Sequence, residues 1–315
     1  MTRTARVRAC AKLNLGLRVL YKRPDGYHEL RTVFQTISLA DRLEISFSPA
    51  RSTRIEMLGT PDIPDNLAER AARLLLEAAA KHGHVRLQLT KNIPSGAGLG
   101  GGSSDAAAVL LALPVLSGIR LPMEHLTALA TQLGSDVPFF LYGGTALGLG
   151  RGEELYPLPD QPAEQALLIA PAVHSSTADA YRDLSATLKN VPLQAKLDSF
   201  QRGAWGDSKS SLINDFEAVV LARYPELAGI RERLRRAGAS RVSMTGSGSA
   251  IFGIFDNPGK LERAKMAWEK QATAGERAFV ISFVNRASYQ GAWQRALKLD
   301  RKGDHTWPLQ SRHAR

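Results

Sequence analysis

Through the first sixty residues apolar side chains recur in a broken two-residue rhythm, in 7–20 (VRACAKLNLGLRVL), 30–39 (LRTVFQTISL) and 42–48 (RLEISFS), with PDG and DRL as turn chemistry between them. This predicts a β-rich beginning. Leu67, Ala71, Leu74, Leu75 and Ala78 then fall at helical spacing, predicting a helix over 66–81 with Asp65 as its cap. HVRLQLT (84–90) alternates as a strand, KNIPSGAGLGGGSS (91–104) is a glycine-rich turn, and DAAAVLLAL (105–113) starts a second helix. A third helix is predicted over 122–133, and in 134–152 glycines bracket an apolar stretch.

The texture changes at 151–164 (RGEELYPLPDQPAE), where a lobe boundary is expected. Beyond it, 166–172 reads as a short buried strand and 212–238 as a helix pair broken at Pro225. A strand, glycine turn and strand follow in 241–255, then an amphipathic helix in 258–272 and a strand in 277–284. Strands cluster early and never alternate strictly with helices, so the expected fold is α+β in two lobes. The expected divisions are an N-terminal lobe over 1–155, a C-terminal lobe over 156–284 and a basic extension over 285–315.

Composition changes this picture little. With 315 residues, 44% of them hydrophobic, the chain can bury a sizeable core. No run reaches the ~20 apolar residues of a membrane helix, and the amino terminus lacks an apolar signal core, so a cytoplasmic protein is expected. The single cysteine, Cys10, excludes an internal disulfide and a cysteine-rich zinc site. A net charge of +11 raises nucleic acid as a partner. However, 286–315 holds seven Lys/Arg against two Asp and shows little periodicity, so much of the excess reads as a solvated tail.

The strongest chemical signal is the segment from Pro94 to Asp105. Five glycines within 96–102 (Gly96, Gly98, Gly100, Gly101, Gly102, with Ala97 and Leu99 among them) remove side chains that would keep a phosphate from successive backbone N–H groups. A helix starting near Ser103 adds its unpaired amides and positive dipole end. Ser103 and Ser104 could cap that helix, contact phosphate or hold Mg²⁺. The lysine of a P-loop is missing, and Gly96, Gly98 and Gly101 meet the dinucleotide pattern without its strand-end acid, since Glu124 lies beside a helix start. Two further glycine turns, Gly148-Leu149-Gly150 and Gly246-Ser247-Gly248, are by themselves ordinary strand connections. Lys12 and Asn14 lie two apart on one strand face. Asp136, in Gly134-Ser135-Asp136-Val137-Pro138, is a turn former, a helix cap or a general base.

Taken together, AKLNLGL near the start, PSGAGLGGGSSDAA after a strand and VSMTGSGSAIFGIF late in the chain resemble, in order, the three motifs of the galactokinase, homoserine kinase, mevalonate kinase and phosphomevalonate kinase (GHMP) superfamily. A narrower resemblance lies in RPDGYHEL (23–30), DNL (65–67) and LGSDVPF (133–139), which are similar to a branch that phosphorylates a cytidine-diphosphate-linked sugar alcohol in the non-mevalonate route to isoprenoid precursors. The resemblance covers roughly 9–284 and implies a two-lobed GHMP-kinase fold, ATP as co-substrate and Mg²⁺.

It further implies Asp136 as the catalytic base and Lys12 as its charged neighbour. The glycine loop, from Pro94 and Gly96 through Gly98, Leu99, Gly100, Gly101, Gly102 and Ser103 to Ser104, would hold the ATP phosphates, with Asn66 and Lys91 near the adenine and Ser104 the candidate metal ligand. Asn14 would bond the substrate near the reacting carbon. Tyr27, His28, Phe34, Thr177 and Tyr181 would recognise the cytidine end, and Gly246 and Gly248 would shape the cleft edge. The implied partners are small molecules, with no nucleic acid and no membrane, on a monomer or weak homodimer. The rival readings are another small-molecule kinase of the superfamily, such as a homoserine or mevalonate kinase, and a basic nucleic-acid-binding protein.

Overall fold

A computed structural model of the chain describes residues 1–59, 63, 65–187, 191–205, 212–271, 273–298 and 307. Two long strands, β1 (Arg3–Lys22) and β2 (His28–Pro49), form a ladder through the first lobe, with β1 bulged between Cys10 and Lys12 and again between Asn14 and Gly16. Such bulges re-aim side chains, and these two flank the Lys12–Asn14 pair. β3 (Arg54–Leu58), α1 (Leu67–Ala78) and β4 (Gly83–Thr90) follow, then the glycine loop and α2 (Gly101–Ser117). Next come α3 (Met123–Leu133), α4 (Val137–Tyr142), β5 (Thr145–Leu149) and β6 (Glu154–Pro157).

The second lobe is built from β7 (Gln165–Ala170), α5 (Thr177–Thr187), α6 (Leu193–Trp205), β8 (Ile213–Asn214), α7 (Glu217–Arg223) and α8 (Pro225–Arg236). β9 (Arg241–Met244), β10 (Ile251–Phe255), α9 (Pro258–Gln271) and β11 (Arg277–Ser282) complete it, and α10 (Arg286–Ala296) returns to the first lobe.

Among the described residues the strands make two sheets. One runs β3-β4-β2-β1-β8 with β5 and β6 added at β2, and the other runs β11-β7-β10-β9. The change of sheet falls between β6 and β7, whereas the expected division at residue 155 cuts β6 itself. One core fills the first lobe around α2, a helix apolar on every side and buried almost along its length. A second fills the other lobe, and a third joins the two sheets through Leu13, Ile37, Leu99, Leu168 and Phe252.

Four sequence readings need correction. Asp41-Arg42-Leu43 is not a turn between strands but lies inside β2, paired with β1 and β4. α1 is capped by Asn66, whose Oδ1 accepts from Ala68 N–H at 2.9 Å, and not by Asp65, which takes a positive φ one residue earlier. The stretch from 286 is not a solvated tail along its whole length. Arg286–Ala296 forms α10, capped by Asn285, and sets Tyr289 and Trp293 into the first-lobe core. Two aromatics four residues apart occupy one helix face, a signal hidden by the surrounding basic residues. Trp307 packs against the same core, while 299–306 and 308–315 lie outside the described residues. Finally, the chain does not divide cleanly, because β8 pairs in parallel with β1 at Gly16 and Leu17. No helix among the described residues is long and apolar enough to cross a membrane.

Candidate active site

The glycine loop supplies the wall between two cavities. Gly98 and Gly100 hold left-handed backbone, with φ of 76° and 70°. A Cβ on Gly98 would stand 2.2 Å from the Thr245 carbonyl oxygen, so glycine is required by space as well as by φ. The loop is tied to β1 by Lys12 N–H donating to Leu99 O at 3.1 Å, and to the second lobe by Ala250 N–H donating to Ala97 O at 3.2 Å. Gly246 backs directly onto Gly98, so the second glycine turn closes the loop from the opposite lobe.

On one side lies a cavity of about 370 Å³ lined by Asn66, Lys91, Pro94 and the loop from Gly96 through Ser103. On the other lies one of about 340 Å³ that takes in Lys12, Asn14, Phe34, Asp136, Thr177 and Tyr181. Gly98, Gly100 and Ser103 line both. Successive loop amides and the start of α2 therefore meet the boundary between a chamber whose wall includes Lys91 and Asp105 and one that holds Lys12 and Asp136.

Lys12 is 3% exposed, and its Nζ lies 3.7 Å from Asp136 Oδ2. Burial pushes the ammonium pKa below the ordinary lysine range, an effect partly offset by the Asp136 carboxylate. Its Nζ also donates to Asn14 Oδ1 and stands 5.4 Å from the centre of the Phe34 ring. Asp136 occupies the N-cap position of α4 without making a side-chain cap bond, and its carboxylate is one-third exposed toward the cavity. It is neither a helix cap by hydrogen bonding nor a solvated turn residue. Asn14 is held by donation to Thr32 Oγ1 at 2.7 Å and by its backbone N–H to Thr245 Oγ1 at 3.1 Å. Thus Thr32 and Thr245, which the sequence reading passed over, fix the residue that fixes Lys12.

The remaining candidates separate. Phe34, Thr177, Tyr181 and Gly246 line the 340 Å³ cavity, whereas Gly248 sits behind its turn against Met244. His28 stacks on Tyr181 with centroids 4.8 Å apart, and its Nε2 pairs with Ser185 Oγ at 2.8 Å. Tyr27 is 54% exposed under the Arg151 guanidinium, 4.7 Å away. Both therefore stand at the rim. Arg151 itself lines the cavity, a place that Gly150-Arg151-Gly152, a glycine-flanked stretch at the expected lobe boundary, does not announce in sequence.

Ser104 is not placed as a metal ligand. It is 1% exposed, donates its hydroxyl proton to Cys10 O at 2.6 Å and lines neither cavity, which leaves Ser103 as the serine that faces both.

Behind the loop, Lys91 bridges two buried carboxylates, Asp41 and Asp105. Asp41 also accepts the backbone N–H of Asn92 and Ile93, pinning the entry to the loop. Burial pushes the Asp105 carboxyl up to about 7 despite Lys91, with Asp41 adding to the rise. For Lys91 burial acts downward, but the two carboxylates outweigh it and its pKa is raised.

Among the described residues no cluster of three or more His, Cys, Asp or Glu is placed to hold a metal ion. Ser103, facing both cavities, offers a protein oxygen beside the loop, and Mg²⁺ carried on phosphate oxygens would need only one or two such oxygens.

Comparison with known proteins gives the family. The model of the GHMP kinases N terminal domain matches residues 66–144, and that of the GHMP kinases C terminal matches 197–274. Fold and site alike define a GHMP kinase. A protein of Solibacter usitatus named 4-diphosphocytidyl-2-C-methyl-D-erythritol kinase is 53% identical over 99% of this chain and 98% of its own length. One of the same name from Moorella thermoacetica is 46% identical over 78% of this chain and 88% of its own. The chain belongs to the 4-diphosphocytidyl-2-C-methyl-D-erythritol kinase family. A crystal structure of 4-(cytidine 5'-diphospho)-2C-methyl-D-erythritol kinase, 42% identical, superposes with a TM-score of 0.71 over 90% of this chain and 99% of that one. Homoserine kinase from Cytophaga hutchinsonii, at 21% identity and a TM-score of 0.69 over 90% of this chain and 96% of its own, shares the fold.

Proposed function

We propose that the chain transfers the γ-phosphate of ATP to the 2-hydroxyl of 4-diphosphocytidyl-2-C-methyl-D-erythritol. The observation that carries this reading is the pair of cavities meeting at Gly98, Gly100 and Ser103, with Lys12 and Asp136 on one side only. A nucleotide in the 370 Å³ cavity places its phosphates along the loop amides, and an alcohol in the other faces them across the glycine ridge. Phosphoryl transfer depends on such positioning and on neutralising charge.

In this reading the Asp136 carboxylate accepts the proton of the attacking hydroxyl, and the new O–P bond forms as the bond to ADP breaks. Lys12, held by Asn14, keeps a positive charge beside both carboxylate and transferring group. The acceptor cavity suits a nucleoside diphosphate: Arg151 offers a cation for the diphosphate, while Tyr181, stacked on His28, and Phe34 offer aromatic faces. Tyr27 flanks the entrance. Mg²⁺ on the ATP phosphates would meet Ser103 and would supply charge neutralisation there.

The test is ADP formation by the purified chain with 4-diphosphocytidyl-2-C-methyl-D-erythritol, mevalonate or homoserine as acceptor. Turnover is expected with the first alone. Turnover with mevalonate or homoserine, or with none, would overturn the substrate assignment.

A further inference from the structure

Outside the cleft, β1 and α10 enclose a separate cavity of about 330 Å³, within the range of roughly 300–1,000 Å³ common to small-molecule sites. It shares no lining residue with either active-site cavity. Tyr289, Ala292, Trp293 and Ala296 of α10 form one wall, and Val7 and Cys10 of β1 form the other. Burial pushes the Cys10 thiol up to about 11, so it adds no negative charge to that surface.

The mouth is cationic. Arg6 is paired with Glu44, but Arg8 donates only to a neutral group, the Ser38 carbonyl at 2.7 Å, and makes no ion pair among the described residues. Arg42, opposite Arg8 in the β1–β2 ladder, likewise has no carboxylate partner among the described residues. An apolar chamber with a guanidinium at its opening that no carboxylate among the described residues compensates matches one chemistry, a hydrocarbon or aromatic body carrying a single anionic head.

We infer that this cavity is a second ligand site, distinct from the kinase cleft, for a small amphipathic anion whose apolar body lies against Trp293 and whose carboxylate or phosphate meets Arg8. The site touches the catalytic elements from behind. Tyr289 Oη donates to Phe140 O in α4, the helix that opens at Asp136, and Cys10 O accepts from Ser104 at the start of α2.

Calorimetric titration of the full chain with octanoate, octyl phosphate and octanol tests the inference. Saturable binding of at least one anion, at least tenfold tighter than octanol and undisturbed by saturating ADP, is expected; the tighter of the two anions identifies the head group. Arg8→Gln, at an exposed position of β1, should weaken anion binding at least tenfold and leave octanol unchanged. Ala292→Phe, which fills the chamber, should abolish binding of all three. Absence of saturable binding at millimolar concentration, octanol binding as tightly as the anions, displacement by ADP, or an unchanged affinity in Arg8→Gln would each overturn it.

Discussion

Asp136 owes its availability to what it does not do: it sits at a helix N-cap position yet leaves the cap bond unmade. Replacing it by alanine should lower kcat by about 10²-fold or more, the usual contribution of a general base, with KM for both substrates changed far less. Steady-state kinetics on the folded variant decide the matter, and an unaltered kcat would remove Asp136 from the proposed chemistry. Asp105 makes a different prediction. With its carboxyl near 7 in the folded chain and at the ordinary 3.8 when unfolded, the native state holds the extra proton between those values. The stability associated with that proton is complete below about pH 4 and is lost as pH rises through 7. Asp105→Asn leaves Lys91 its bond to Asp41, so the variant's Tm relative to the parent should rise from pH 5 to pH 8. An equal difference at both pH values would contradict it.

At the scale of elements, the glycine loop and α10 are both defined by contacts the linear chain conceals. The loop was legible as an anion cradle because glycine density and a following helix are local properties. That its φ-positive Gly98 lies against Thr245 was not, since the clash involves a residue 147 positions away. Gly98→Ala meets that carbonyl and strains the backbone by about 1–3 kcal/mol, so kcat/KM for ATP should fall at least tenfold while circular dichroism stays native. An unperturbed kcat/KM would mean the loop can yield. For α10 the sequence pointed the wrong way, because seven basic residues in 286–315 masked two aromatics of one face. Trp293→Ala should cost about 3–5 kcal/mol by urea unfolding, as for other buried tryptophans. A loss under 1 kcal/mol, in the range of surface substitutions, would show that the helix is dispensable to the core.

For the whole molecule, the two-lobed class and the longer strands could be read from periodicity and from the three glycine-bearing motifs, since both are written in short stretches, whereas β3, β5, β6 and β8 and the order of strands in the sheets could not. The convergence of Lys12, Asp136 and the two cavities could be expected only through family resemblance, because 124 residues separate that pair and no spacing rule joins them. Thr32, Thr245 and Arg151 stayed invisible for a related reason: they act by holding or flanking other residues, and nothing in their immediate neighbours marks them. The lobes themselves are less separate than a linear division suggests, with β8 entering the first sheet and a shared apolar cluster between the two.

The last helix among the described residues lies in the second half of the chain yet packs into the core of the first. In a nascent chain leaving the ribosome, where domains otherwise tend to fold one after another, the face of the early strands that Tyr289 and Trp293 cover is thus covered late. The patch of amino-terminal hydrophobic surface under α10 stays open for nearly the whole of synthesis, and a stop codon placed before α10 would release a protein with that patch bare.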